Sequence, residues 1–384
     1  MNLLVITNTF PNHDDTYIGD IFVKEQIKSL KNYFDNIYVV SPTPYGIGYL
    51  RKTKQENYEF DNVKVYFPRY LNFPPFYYWN RDFWVNFEMK TITKLITAEK
   101  MKFDLIHAHF TWPSGAVAVE IKNDYDVPLV ITEHTSVTFR KAIENKDPIY
   151  LETWKACDAI IRVRKGDIRD IIRLGVPKNK VHYVPNGYTE RFVQFEEKCV
   201  ARNRLNLPVN KMMILNVGNP YSEVKGHKYL VEAMVEVLKE RKDFLCIIVG
   251  DGKLKNTLEN QIFQLGLHDY VKFVGARNPS EIPLWMNVAD LFVLPSLSEG
   301  NPTVMFEALG AGLPFVGTKV GGIPEIINSE DHGLLCEPAN SKDLAEKILI
   351  ALDKDWDREK ILEYAKQFTW ENVTKKIMKI YDKL

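Results

Sequence analysis

Two glutamates stand eight residues apart in EGNPTVMFEALGAG, residues 299–312: Glu299, and Glu307 between Phe306 and Ala308. Asn301 is a suitable cap, Pro302 suits a first turn, and Thr303 to Leu309 hold no breaker, so the spacing predicts a helix that Gly310 and Gly312 end. Val304, Met305, Ala308, Leu309 and Ala311 cover most of its circumference, which predicts burial on most sides. A carboxylate there requires a partner. Either a Lys or Arg from elsewhere in the fold meets Glu307, or its oxygens take hydrogen bonds from a ligand's hydroxyls.

Other candidates lie at the ends of apolar runs. In LNVGNPYSEVKGHKYLVEAM, Gly218, Gly226 and Lys225 precede a helix, an arrangement that suits an anionic phosphate and is also common on plain surfaces. VGDG at 249–252 is a tight turn after the next run, and Gly321 and Gly322 in GTKVGGIPEII add free amides on the same expected sheet edge. In DLIHAHFTWPSG, His107 and His109 fall on one side of a strand near its carboxyl end, and His134 in ITEHTS ends the following strand. No HExxH pattern accompanies these histidines, so no metal site is expected. Gly19 lies just before the first helical pattern, where a ligand can approach backbone amides closely.

The elements that must carry these residues recur regularly. Short β-branched runs at 3–10, 36–42, 104–110, 128–134, 159–164 and 181–185 alternate with helical patterns, and six more follow from MMILNVG to GLLCEP. Near-continuous apolar strands alternating with helices predict parallel sheets covered on both faces. Two doubly wound, Rossmann-like domains are therefore expected: residues 1–190 and 191–367, with an amphipathic helix over 368–384 packing back on the first. Ligands of such sheets sit outside the strands' carboxyl ends, so the two domains should face one another across a cleft.

The chain-wide figures exclude several classes. The 384 residues are 45% hydrophobic, and 50 basic side chains balance 50 acidic ones, which gives no reason to expect nucleic acid. The amino-terminal apolar stretch is short for a secretory signal and no 18-residue apolar run follows, so a cytoplasmic location is expected. Cys157, Cys199, Cys246 and Cys336 lack metal-ligand spacing and read as free thiols. No dinucleotide fingerprint, P-loop or nucleophile elbow is present, which argues against dehydrogenases, P-loop enzymes and serine hydrolases.

Taken in order, Gly19 before DIFVKEQIKSL, DLIHAHF, VPNGYTERF, KGH, IVGDG, YVKFVGA and SEGNPTVMFEALGAGLPFVGTKVGGIPEII resemble the retaining, GT-B-fold glycosyltransferases of family four (GT4) over nearly the whole chain. The opening is similar to the subgroup that builds surface polysaccharides. The resemblance implies a nucleotide-diphosphate sugar donor, UDP first and GDP second, with no metal and no other cofactor. Glu307 would accept from ribose hydroxyls, and Glu299 would face the donor sugar. Lys225 and the segment Gly300, Asn301, Pro302, Thr303 and Val304 would hold the diphosphate. His109 would lie by the sugar, and amides near Gly19 would assist the phosphate. His109, Glu299 and Lys225 form the expected catalytic set. Retention would proceed by same-face attack, a leaving phosphate oxygen taking the acceptor's proton. Asn219 departs from the pattern, standing where the family usually has an arginine, so neutralisation would rest on Lys225 and helix amides unless Arg277 substitutes.

On the acceptor side, His134, Arg162 and Arg164 would flank a glycan or lipid-linked acceptor; for the two arginines the alternative is a solvated basic surface, as it is for Lys165, Arg169 and Arg173. Residues 45–87 form the least regular part of the first half. There Arg51, Lys52 and Lys54, beside Tyr45, Tyr49 and Leu50, precede a dense aromatic cluster. This suits either peripheral contact with an anionic membrane, placing the protein at the inner face of the membrane, or plain core packing. The rival functions are a sugar-nucleotide epimerase of the same fold and a two-lobed sugar-binding protein.

Overall fold

The structure is a computed structural model that describes residues 1–45, 55–71, 76–134, 137–192 and 196–384. The chain forms two compact units, Met1–Pro185 with Val373–Leu384, and Asn186–Asn372.

The first unit holds β1 (Asn2–Thr7), β2 (Asn36–Val40), β3 (Thr43–Pro44), β4 (Tyr58–Phe60), β5 (Val63–Tyr66), β6 (Arg69–Tyr70), β7 (Leu105–His109), β8 (Leu129–Glu133), β9 (Ala159–Arg162) and β10 (Val181–Tyr183). Eight of these form one sheet in the order β10-β9-β8-β7-β1-β2-β5-β4, parallel except for β4. The strands β7 and β8 are buried along their whole length, which is what coverage of both faces requires of LIHAH and LVITE. Strand order reverses between β1 and β7, so the loops after these two strands flank the crevice of this sheet.

The second unit holds β11 (Met212–Val217), β12 (Phe244–Val249), β13 (Val271–Gly275), β14 (Leu291–Leu294), β15 (Phe315–Thr318) and β16 (Gly333–Cys336). Its sheet order is β13-β12-β11-β14-β15-β16, and every pair is parallel. Successive residues of one strand enter opposite cores: Met213 and Leu215 pack with Ile247 and Phe292 on one face, while Ile214 packs with Cys246 and Val293 on the other. The switch point lies between β11 and β14, which carry the Lys225 and Glu299 loops.

The described residues within 45–87 are more regular than expected. The strands β4 and β5 extend the main sheet as a hairpin whose turn contains Asp61 at φ 50°, and a long helix runs Arg81–Ala98. The charges Glu59 and Lys64 interrupt the apolar signal of both strands, which hid them. Aromatic residues here divide between two environments. Tyr70 and Trp84 are buried edge to face at 5.8 Å, while Trp79 is 84% exposed and Leu71 68%. Arg51, Lys52, Lys54, Tyr49 and Leu50 lie outside the described residues. Among the described residues no helix is long and apolar enough to cross a membrane.

Candidate active site

In the second unit, three loops meet at the β11/β14 switch point. The Lys225 loop is docked on the β14 loop: the Leu297 amide donates to the Val224 carbonyl at 2.7 Å, and Gly226 lies so close that a Cβ there would sit 1.9 Å from the Pro295 carbonyl oxygen. This brings Lys225 Nζ to 2.7 Å from Glu299 Oε1, which also accepts from Ser296 Oγ at 2.7 Å. Ser296 is fully buried, and its own carbonyl accepts from Thr318 Oγ1. On the far side Gly321, at φ 58°, would place a Cβ 2.0 Å from the Glu299 carbonyl oxygen, and the Gly322 amide donates to Gly300 O at 2.7 Å.

The predicted helix forms over Thr303–Gly310, with two differences in detail. Asn301 does not cap it. Pro302 occupies the cap position and makes no side-chain cap hydrogen bond, and Asn301 instead uses Oδ1 to accept the Asn186 amide at 2.9 Å. The amides of its first turn thus have no side-chain acceptor from the cap, and Pro302 itself contributes none. Nor is Glu307 sealed in a core. Met305, Phe306, Ala308 and Leu309 are buried, while Thr303, Val304 and Glu307 are only half-buried. Spaced i, i+1 and i+4, these three share one face, so Glu307 stands on the helix's open stripe above its amino terminus.

Asn219 serves a structural purpose: its Oδ1 accepts the Asp251 amide at 3.2 Å and ties the first glycine loop to VGDG. Arg277 stacks its guanidinium 5.5 Å over Trp285. His227, with Nε2–H donating to Gly218 O at 3.1 Å, holds the other end of the loop, and burial depresses its pKa to about 4. Neither Ser296 nor His227 stood out in the sequence, because a serine three residues before Glu299 and a histidine in KGH are ordinary until the loops close on one another.

In the first unit, Thr7 and His109 are register partners, as are His109 and Thr132. His107, His109 and His134 stack as parallel rings with centroids 4.5 and 5.4 Å apart, and His109 Nδ1 lies 3.1 Å from His134 Nε2. Burial lowers all three pKa values, to about 3 for His107 and His134 and well below the ordinary range for His109, so the rings are neutral. His109 Nε2 is buried with no partner among the described residues. The loops after β1 and β7 are pinned together by Asn8, which donates to Trp112 O at 3.0 Å and accepts from Ser114 Oγ at 2.6 Å. Phe110, just after His109, is at φ 70°, a strained position beside functional candidates. Gly19 precedes the helix Ile21–Leu30, and the Tyr17 ring covers it, with a Cβ there falling 2.6 Å from the Tyr17 hydroxyl. Asp20 follows, accepting from Thr9 Oγ1 at 2.5 Å, and burial raises it to about 6.

Arg162 forms no solvated basic surface. It is fully buried, donates to the Glu133 carbonyl and, at 2.5 Å, to Asp167, and lies 4.0 Å over the Phe139 ring. A guanidinium so enclosed braces the strand ends that carry His134, whereas Arg164 is partly exposed and pairs with Asp167 at 3.4 Å. Lys165, Arg169 and Arg173 are exposed.

Two doubly wound sheets, parallel apart from β4 and carrying candidate residues on loops at their switch points, have the architecture of the GT-B glycosyltransferases. Residues 21–191 match the family Glycosyltransferase Family 4, and residues 198–368 match Glycosyl transferases group 1. An uncharacterized glycosyltransferase of Methanocaldococcus jannaschii is 30% identical over 84% of this chain and 86% of its own. The putative teichuronic acid biosynthesis glycosyltransferase TuaC of Bacillus subtilis is 28% identical over 91% of this chain and 88% of its own. Among solved structures, Anabaena HepE in complex with UDP has the same fold, with a TM-score of 0.77 at 20% identity and full coverage of both chains. The chain belongs to the family-four glycosyltransferases.

Proposed function

We propose that this enzyme moves a sugar from a nucleotide-diphosphate sugar, UDP first and GDP second, to a glycan or lipid-linked acceptor in surface polysaccharide or glycoconjugate assembly, with retention and without a metal. One observation carries the reading: Lys225 and Glu299 meet at the switch point beside the amino terminus of a helix whose cap residue, Pro302, offers its amides no side-chain acceptor. An anionic diphosphate suits that amino terminus, since first-turn amides and the helix dipole favour negative charge. In this reading Lys225 leaves Glu299 for the diphosphate, stabilising charge as the sugar–phosphate bond breaks, and Glu299 turns to the sugar hydroxyls. Glu307 accepts from the ribose on the helix's open face. His109, neutral and with Nε2 unengaged, hydrogen-bonds the sugar rather than shuttling protons. A leaving phosphate oxygen takes the acceptor's proton. Amides near Gly19 assist the phosphate, His134 and Arg164 serve the acceptor, and Arg162 acts there only through the strand ends it braces.

UDP and UDP-glucose complexes of HepE support the uridine donor, and the name of TuaC supports a polysaccharide acceptor. Exposed Trp79 and Leu71 support peripheral contact with an anionic membrane. A thermal-shift panel of UDP, GDP, ADP and their sugars tests the donor. Saturation near 100 Kd should add about 2.7 kcal/mol of stability, and Glu307→Ala should abolish the shift while keeping the fold. Retention of the shift by that variant sinks the ribose assignment, and no shift with any nucleotide sinks the donor reading.

A further inference from the structure

We infer that Asn186, the first residue of the second unit, is a positioning residue for the diphosphate end of the donor site. The inference rests on the donor reading above. Asn186 sits in VPNGYTERF, far in sequence from the glutamates, and is buried. It meets Asn301 at two points of opposite polarity: its amide donates to Asn301 Oδ1 at 2.9 Å, and its Nδ2 donates to Asn301 O at 2.7 Å. The second bond grips the backbone itself, one residue before Pro302 and two before the helix begins.

The segment Glu299–Pro302 is therefore held on two sides. The glycine pair presses on one, with Gly322 N donating to Gly300 O at 2.7 Å, and Asn186 holds the other. Between them hangs the Asn301 side chain, 94% buried by residue, whose Nδ2 has no partner among the described residues and would stand 3.0 Å from a Cβ on Gly322. A buried donor left unpaired is costly, so the loop keeps this arrangement because the clamp enforces it. Its consequence is directional. The clamp fixes where the Thr303 and Val304 amides point, and so sets their aim at a phosphate rather than the fit of the base or ribose.

Only an asparagine-like side chain meets the geometry. Asn186→Asp keeps size and the backbone bond but replaces the Nδ2 donor with an oxygen facing the Asn301 carbonyl. Asn186→Ala keeps the backbone bond and removes the grip. The test measures affinity for UDP and uridine, and for GDP and guanosine, in the full-length protein and both variants, alongside hydrogen exchange over residues 299–305 without ligand. The diphosphate-to-nucleoside affinity ratio should drop about tenfold in both variants, with nucleoside affinity unchanged and exchange at 303–305 faster. An unchanged ratio, or equal losses for diphosphate and nucleoside, overturns the role. If one variant fails to fold, the ratio and exchange in the other decide it. Wild-type protein that binds none of the four overturns the donor reading, and this inference with it.

Discussion

The three stacked histidines of the first unit are side chains whose burial decides their chemistry. Each loses the charged form chiefly through desolvation; charge on His107 and His134 would further disfavour it at His109, as Arg162 and His107 do at His134. The consequence for stability has a definite sign. With His107 and His134 at about 3 in the fold against 6.5 unfolded, the unfolded chain binds the extra protons, so their contribution is present above the ordinary histidine range and is lost as pH falls toward 3. Glu88, buried with Trp84 donating to it at 2.9 Å and raised to about 7, has the opposite sign: its contribution is lost as pH rises through 7. Comparing variants separates the two. His107→Asn should flatten the rise of unfolding free energy with pH between about pH 4.5 and 6 by up to one proton, about 1.4 kcal/mol per pH unit. Urea titrations at several pH values measure this, and a parallel slope in the variant would show that His107 is charged in the fold.

Among the elements, the Lys225 loop offers a controlled experiment, because its Gly226 shares a φ value with Gly266 elsewhere and differs from it in surroundings. Gly226 and Gly266 both have φ 68°, yet a Cβ on Gly226 would strike the Pro295 carbonyl at 1.9 Å while Gly266 has nothing within 4 Å. Gly266→Ala should cost only the left-handed strain, about 1 kcal/mol. Gly226→Ala must in addition push the Lys225 loop off the β14 loop, so turnover should fall by about a hundredfold or more while Gly266→Ala stays near wild type; similar turnover in both would show that the docked loop does not position Lys225. The same loops show what the sequence made legible. Every strand of the second unit follows from an apolar run, because parallel strands such as β12 and β14, buried along their whole length, have a strong local signal. The glycine-rich loops and E-x7-E spacing marked the candidate residues, and the family matches support the class they implied. What stayed hidden depends on contacts made across the chain. Asn301 looked like a cap because capping is local, but Asn186, 115 residues away, takes its side chain. Arg162 looked exposed because arginine usually is, and only the closure of β8, β9 and Asp167 around it pairs the charge well enough for burial. The hairpin β4–β5 was masked by charges on short strands whose place in the sheet comes from pairing with β2.

For the molecule as a whole, the chain's path matters most where it returns to the unit in which it began. The helix Trp370–Tyr381 contributes buried Val373, Ile377, Ile380 and Tyr381, and the Tyr381 hydroxyl lies 2.6 Å from His107 Nδ1. His107 in turn stacks on His109. The last segment is thus one layer behind the candidate catalytic histidine, and its loss should have two separable effects. Tyr381→Phe keeps the apolar contact and removes one hydrogen bond from a buried ring nitrogen, which should cost about 1–3 kcal/mol. Deleting Val373–Leu384 removes four buried apolar side chains, whose burial contributes about 1.5–3 kcal/mol each, a sum comparable with the 5–15 kcal/mol that holds a typical domain together. The deletion should therefore leave the first unit unfolded or aggregated while the second, whose sheet contains only strands between Met212 and Cys336, still unfolds cooperatively. Calorimetry distinguishes the cases: wild-type protein and Tyr381→Phe should retain both units, the deletion only one. Two intact transitions in the deletion variant would mean that the returning helix merely covers a core the first unit completes without it, and that His107 keeps its place by Thr132 alone.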